Sequence, residues 1–403
     1  MSAQTDRNIT PTQHHLTYLL LAFVAMSGLS YLNFLPGVVN ALAGDIGFSE
    51  SEAGQIVALN GYGGLLGSTI AILLVRRLRA YWQPTLLLCL LGLLLMDIAT
   101  AQPGQLGSQG TQDKLDEMLC WRFTAGAIGG LALSLAIAQL AKLDNPDRAF
   151  GTLLFVQFSV GSLVMVLLPS LEAQFGAYAV FYLMAGFSLL SLLMLLWLPA
   201  QSARVTQHFP TATSIQSFKS CSYRHACLLL LAIGAYQLAA SAIWAYVGLI
   251  GLAAAISPDN VNNYIAATGL LGLLGALIPM LLGQRYGRQP LLLAGTVLSI
   301  AAAVLLNFAA QHWLYLSALA LLFLAWPAVQ SYLLAVSAAF DHSGRLSAIA
   351  TLVAAVGLAS GPLMASMLLT QKDFSKMLYS CAAIFLLSYL LLLPPVTAQK
   401  KPI

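Results

Sequence analysis

SESEAGQIVALNGYGGLLGSTIAILLVRR, residues 49–77, decides how the chain is read. Residues 257–285, SPDNVNNYIAATGLLGLLGALIPMLLGQR, repeat its plan 208 positions later. Under that shift Gly61, Gly64 and Gly67 fall on Gly269, Gly272 and Gly275, and Arg77 falls on Arg285. Each stretch begins polar, runs apolar for about 20 residues, the length that crosses a bilayer core, and ends on arginine. Small residues at i, i+3 and i+6 give a helix a face that another helix can approach closely. A duplication of this kind points to two parallel halves built from the same set of spans. A second echo supports it: NPDRAFG (145–151) and DHSGRLS (341–347) each place an arginine, Arg148 and Arg345, just before an apolar run.

The bulk composition agrees. Charged residues make up 8% of the 403, apolar residues 59%, and the mean hydropathy is +0.82. A soluble domain carries roughly 25% charge to keep its surface in water. A chain with so little must turn most of its surface to lipid, which excludes a cytosolic enzyme. The net charge of +4 comes with no long basic run, so no nucleic-acid partner is expected. Five cysteines form no C-x-x-C pair, and the six histidines fall in loops, tails or span ends, so neither a metal nor any other cofactor is expected. The first apolar run starts near His15 and exceeds a signal-peptide core in length, so it reads as a span.

Apolar runs broken by charge, Pro or Gly predict twelve helices at 16–42, 51–75, 83–102, 118–141, 150–171, 176–199, 226–254, 261–283, 289–309, 312–338, 344–369 and 375–396. The fold class is therefore an all-α membrane protein of two pseudo-symmetric six-helix bundles. The divisions are a tail at 1–15, bundles at 16–200 and 226–396, a polar linker at 201–225, and a tail at 397–403. Arg7, Arg76, Arg77, Arg79, Lys142, Arg148, Arg204, Lys219, Arg224, Arg285, Arg288, Arg345, Lys400 and Lys401 lie on the side of the termini and linker. The opposite loops hold only Lys114, Lys372 and Lys376. Basic residues mark the cytoplasmic face, so both termini are expected there.

At this point the chain resembles the major facilitator superfamily over its whole length. GDIGFSESEAGQI (44–56) is similar to the family's outer loop leading into helix two. GQRYGRQ (283–289) matches the family's loop pattern at Arg285, Gly287 and Arg288, with Gln284 where the family has Asp. ILLVRRLRA (72–80) keeps only the arginines. RFTAG (122–126) is similar to the family's fourth-helix arginine followed by glycine. The fifth-helix Gly-Pro pattern of many drug antiporters is absent from FVQFSVGSLVM (155–165). The resemblance implies a multi-pass protein of the bacterial inner membrane, monomeric, moving a small organic solute by alternating access coupled to protons. It also implies a gating role for Arg76, Arg77, Arg79, Arg285, Gly287 and Arg288, as arginines at a cytoplasmic helix end meet the negative end of a neighbouring helix.

Arg122 is the one basic residue inside a span, and such a charge marks function by default. Three readings stay open: an anchor at the outer headgroups, a pair with Asp97 at similar depth on the preceding helix, or a ligand for an anionic solute or control of a proton relay. Asp97 is the only carboxylate clearly within a span and the candidate proton carrier. The resemblance places other polar and aromatic residues at a central cavity: Tyr31, Asn33, Asn60, Gln157, the stripe Gln237–Ser241–Trp244, and Trp326 with Gln330 around Pro327. Several amides among several aromatics suit a neutral or amphipathic organic molecule better than a bare ion.

No paired acids, histidine cluster or nucleophile with its base appears, so an enzyme is not expected. The alternative to a transporter is a transporter-like sensor or assembly partner without turnover, for which the degraded first loop motif speaks. The topology makes a direct prediction. A single cysteine at position 210 reacts with a membrane-impermeant maleimide only after the cytoplasmic face is opened; reaction in intact cells would invert the map.

Overall fold

The structure, a computed structural model, describes residues 11–78, 81–102, 111–141, 143, 146–198, 223–282, 287–340, 345–369 and 373–398. They form fourteen α-helices and one short 3₁₀ turn, with no strand among the described residues. The first half holds α1 (Pro11–Asn33), α2 (Leu35–Ala43), α3 (Glu50–Leu78), α4 (Trp82–Thr100), α5 (Thr111–Leu140), α6 (Pro146–Phe175) and α7 (Ala179–Trp197). The second holds α8 (Tyr223–Ala253), α9 (Pro258–Gly269), α10 (Leu271–Leu282), α11 (Arg288–Leu305), α12 (His312–Phe340), α13 (Arg345–Leu368) and α14 (Ser375–Ala398). Twelve of the described stretches are long and apolar enough to cross a membrane. In lipid every backbone polar group must be satisfied within the chain, and the α-helix does this span by span.

Two of the expected single helices are interrupted. Span one breaks at Phe34, whose backbone leaves helical geometry at φ −98° and ψ 11°. Pro36 lies two residues beyond and has no N–H to give to the carbonyl of Leu32. The ladder holds on either side through Phe34 N–H to Ser30 O and Val38 N–H to Phe34 O, both 2.9 Å. Span eight breaks at Leu270, beside Gly269. The other correction is at the ends: span four starts at Thr111, not 118, and span five runs from Pro146 to Phe175. These added turns are polar, so apolar length alone misses them. Residues 201–222 of the expected linker, and the tails at 1–10 and 399–403, lie outside the described residues.

The two halves use matching contacts. In the first, α4 packs on α5 and α7, and α3 on α5; in the second, α11 packs on α12 and α14, and α10 on α12. The halves meet where α3 faces α13, α6 faces α9 and α2 faces α8.

Hydrocarbon gives no solvophobic drive between helices, so close packing must hold them. The glycines of the opening stretch supply it. A methyl group on Gly67 would overlap the carbonyl oxygen of Ala127, and one on Gly63 that of Phe123. In return, methyls on Gly126 and Gly130 would overlap the carbonyl oxygens of Asn60 and Gly64. The backbones of α3 and α5 therefore touch directly, and Ser68 Oγ donates to Gly130 O at 3.2 Å across the seam. The second half repeats the device at Gly275, which meets the Leu324 carbonyl on α12.

Gly67→Ala is expected to destabilise the purified protein by about 1–3 kcal/mol, as overpacking does. Gly186→Ala, where nothing lies within 4 Å, should leave thermal unfolding in detergent unchanged. Equal melting of the two variants would mean the seam tolerates a methyl.

Candidate functional site

A cavity of about 350 Å³ lies between the halves, walled by α1, α6, α8, α9, α12 and α13. Its size falls in the range of small-molecule sites. On α1 it is lined by Asn33, on α6 by Gln157, Phe158 and Ser162, on α8 by Trp244, and on α12 by Trp326 and Gln330, amid leucines and phenylalanines. The irregular backbone of span one brings Asn33 to the wall: it is the last residue of α1 before the break.

Hydrogen bonds fix these side chains. Gln157 Nε2 donates to Asn33 Oδ1 at 3.0 Å, and Asn33 Nδ2 to Met26 Sδ at 2.8 Å. Trp326 Nε1 donates to Gln237 Oε1 at 2.7 Å. Trp244 Nε1 reaches across to the first half and donates to Leu32 O at 2.9 Å. That acceptor is the carbonyl left unclaimed by Pro36, so the proline creates the socket that the indole fills. Trp244 also stands edge-on to Phe323, ring centroids 5.2 Å apart at 80°.

The halves are joined on one side of this cavity. Tyr246 Oη donates to Glu50 O at 2.7 Å, and its hydroxyl closes the notch at Gly54. The Asn40 side chain sits against Gly248, and Tyr62 Oη pairs with Ser360 Oγ at 2.9 Å. Glu50 begins α3 and Asn40 is near the end of α2. The seal therefore lies toward the α2–α3 and α8–α9 turns.

A second feature lies wholly inside the first half. Arg122 of α5 is 0% exposed and Asp97 of α4 is 1% exposed. Arg122 Nη2 donates to Asp97 Oδ1 at 2.8 Å. The guanidinium carbon is 5.2 Å from the Tyr31 ring centroid and 5.3 Å from that of Phe181. Four helices, α1, α4, α5 and α7, thus enclose one charge. Two rings on one guanidinium add cation–π attraction of about 2 kcal/mol each once water is excluded. Among the described residues Arg122 Nε, Arg122 Nη1 and Tyr31 Oη have no hydrogen-bond partner. Asn60 Nδ2 holds the helix beside it, donating to Arg122 O at 2.7 Å.

A family model described as Major Facilitator Superfamily matches residues 19–228, just over half of the chain. The chain belongs to the Major Facilitator Superfamily. No curated protein matches it. Among solved structures, a variant of the nucleoside transporter NupG is similar at 12% identity and TM-score 0.74, covering 95% of this chain and 99% of its own. A D-xylose–proton symporter is similar at 14% identity and TM-score 0.70, covering 97% and 99%. At such identities the likeness is one of fold.

Within this superfamily fold, the structure brings five of the sequence-expected residues together on the cavity wall: Asn33, Gln157, Trp244, Trp326 and Gln330. Arg122, Tyr31, Asn60, Gln237 and Ser241 lie outside that lining. Gln237 stands behind Trp326, and Ser241 fills the notch at Gly361 between α8 and α13. Full burial removes the headgroup-anchor reading of Arg122, whose span starts eleven residues earlier than it. Sequence reasoning missed Phe158 and Ser162. Both share the α6 face of Gln157, and a serine there was a signal open to reading. Of the gating set, Arg79 and Arg285 and the side chains of Arg76 and Arg77 lie outside the described residues. Gly287 takes φ 76°, a conformation that favours glycine, and Arg288 opens α11 behind it.

A buried pair is costly to break because the survivor is left charged and alone. Arg122→Met is expected to destabilise the protein by about 3–5 kcal/mol. Adding Asp97→Asn should recover a large part of it. Additive loss in the double variant, read by thermal unfolding in detergent, would show that the two charges do not depend on one another.

Proposed function

We propose that this chain is a secondary transporter that moves a small organic solute by alternating access, coupled to protons. The observation that carries the reading is the cavity built by both halves and closed over, toward the α2–α3 and α8–α9 turns, by contacts between them. A site held between two bodies that rock against each other is the physical requirement of alternating access. The names of the fold neighbours, a nucleoside transporter and a D-xylose–proton symporter, support this class of activity.

In this reading Asn33, Gln157, Trp244, Trp326 and Gln330 touch the solute. Tyr31, Asn60, Arg122, Gln237 and Ser241 act one layer back, holding the helices and rings that do. Asp97 is the proton acceptor: protonation would neutralise it, release Arg122, and loosen α4 against α5. The arginines Arg76, Arg77, Arg79, Arg285 and Arg288, with Gly287 at the turn, latch the opposite end of the cavity. That end is the cytoplasmic one, with both termini on the same side of a bacterial inner membrane, and the monomer is the working unit.

Uptake into vesicles reconstituted with the purified chain tests this, using labelled solutes with and without an inward proton gradient. Accumulation should follow the gradient and collapse with an uncoupler. Asp97→Asn should lower gradient-driven accumulation about tenfold, the size of a typical coupling energy, while sparing solute-for-solute exchange. Binding without uptake of any solute would make the chain a sensor rather than a carrier.

A further inference from the structure

The cavity wall keeps an account of hydrogen bonds, and its balance identifies a class of solute. Both indole N–H groups are already spent, Trp244 on Leu32 O and Trp326 on Gln237 Oε1. The tryptophans therefore offer only ring faces and edges. Asn33 is engaged through both ends of its amide. Three polar positions remain among the described residues. Ser162 Oγ is buried and has no partner. Gln157 uses its Nε2 on Asn33, which leaves its carbonyl oxygen unclaimed. The Gln330 amide lies on the wall beside Trp326. Among the described residues no ionisable side chain lines the cavity, and the buried charges Arg122 and Asp97, which lie outside its lining, are paired with each other.

We propose that the cavity selects an uncharged, flat, mostly apolar solute with a few hydrogen-bonding atoms, received by Ser162, Gln157 and Gln330. The statement deepens the transport reading and rests on it for the passage of the solute, though not for its binding. An ion entering this wall would lose its water and meet no counter-charge, which is prohibitive in an apolar site. A sugar fails for a related reason: each hydroxyl stripped of water needs a partner, and three positions cannot serve them all. A planar ring loses nothing, because it is received by indole and phenyl surfaces in stacked or edge-on geometry. Ser162 and Gln330 then set orientation: the serine sits on α6 and the amide on α12, so a solute bridging them ties the two halves together.

An isosteric series separates charge from shape. Tritiated indole-3-acetamide is bound to the purified full chain in detergent, and competed with indole, indole-3-acetate, tryptamine and D-xylose. Saturable binding of the amide, displaced by indole and at least tenfold more weakly by the anion, the cation and the sugar, is the expected result. Ser162→Ala and Gln330→Ala should each weaken amide binding about tenfold, the worth of one hydrogen bond in an apolar site, with unchanged thermal unfolding. Equal or tighter binding of either charged analogue or of the sugar overturns the proposal. So does the absence of saturable binding of both neutral probes by a chain that unfolds cooperatively. Selective binding without uptake into vesicles would sink the transport reading alone, and proton-driven uptake of a charged solute would sink the selectivity alone.

Discussion

The backbones of α3 and α5 touch through Gly63, Gly67, Gly126 and Gly130, and the rest of the first half is arranged around that contact. In water such an approach would be driven by burial; in hydrocarbon it rests on van der Waals contact and on the small bonds it permits. Once α5 is seated against α3, its other faces are left for α1 and α4. Arg122 is then directed between four helices with no route to water. The charge is tolerable there only because Asp97 and the rings of Tyr31 and Phe181 stand at fixed positions around it. Glycine packing and the ion pair are thus one construction: loosen the seam and a guanidinium is stranded in oil.

Much of this was legible from the residues alone, for a reason specific to lipid. A span must be about 20 residues long and must satisfy its own backbone, so span number and fold class follow from hydropathy. Of the glycine register at 61, 64 and 67, Gly67 packs tightly on α5 while Gly61 meets Ala359 of α13, and the α3–α5 seam also uses Gly63, which the register leaves out. What hydropathy does not encode is where a span bends or overruns. The break at Phe34 lies by Pro36, which frees the Leu32 carbonyl for a donor from the other half, and the break at Leu270 falls beside Gly269. The early start of α5 at Thr111 is a polar extension, invisible to a measure of apolar length.

The site was half legible. Amides and tryptophans announce themselves in an apolar run, and Asn33, Gln157, Trp244, Trp326 and Gln330 do share one cavity wall. Depth could be inferred from the sequence; rotation about the helix axis could not. Gln237 and Ser241 lie on the stripe of Trp244 yet face α12 and α13 as supports. Ser162 shares the α6 face of Gln157 and was open to reading there; its weight comes from an Oγ buried with no partner among the described residues. Depth put an Arg122–Asp97 pair among three open readings, and the structure holds that pair, because a charge in hydrocarbon has few other partners.

Pro36 has a consequence that reaches beyond its own helix. It leaves the Leu32 carbonyl without a donor, and Trp244 from the other half supplies one. If the halves part on that side, the indole withdraws and the oxygen loses that donor. Only water can then hydrate the exposed oxygen, so separation there is also a wetting event. The span is thereby made sensitive to the activity of water: crowding or osmotic stress, which withdraw solvent from narrow clefts, would favour the sealed arrangement without touching the solute at all.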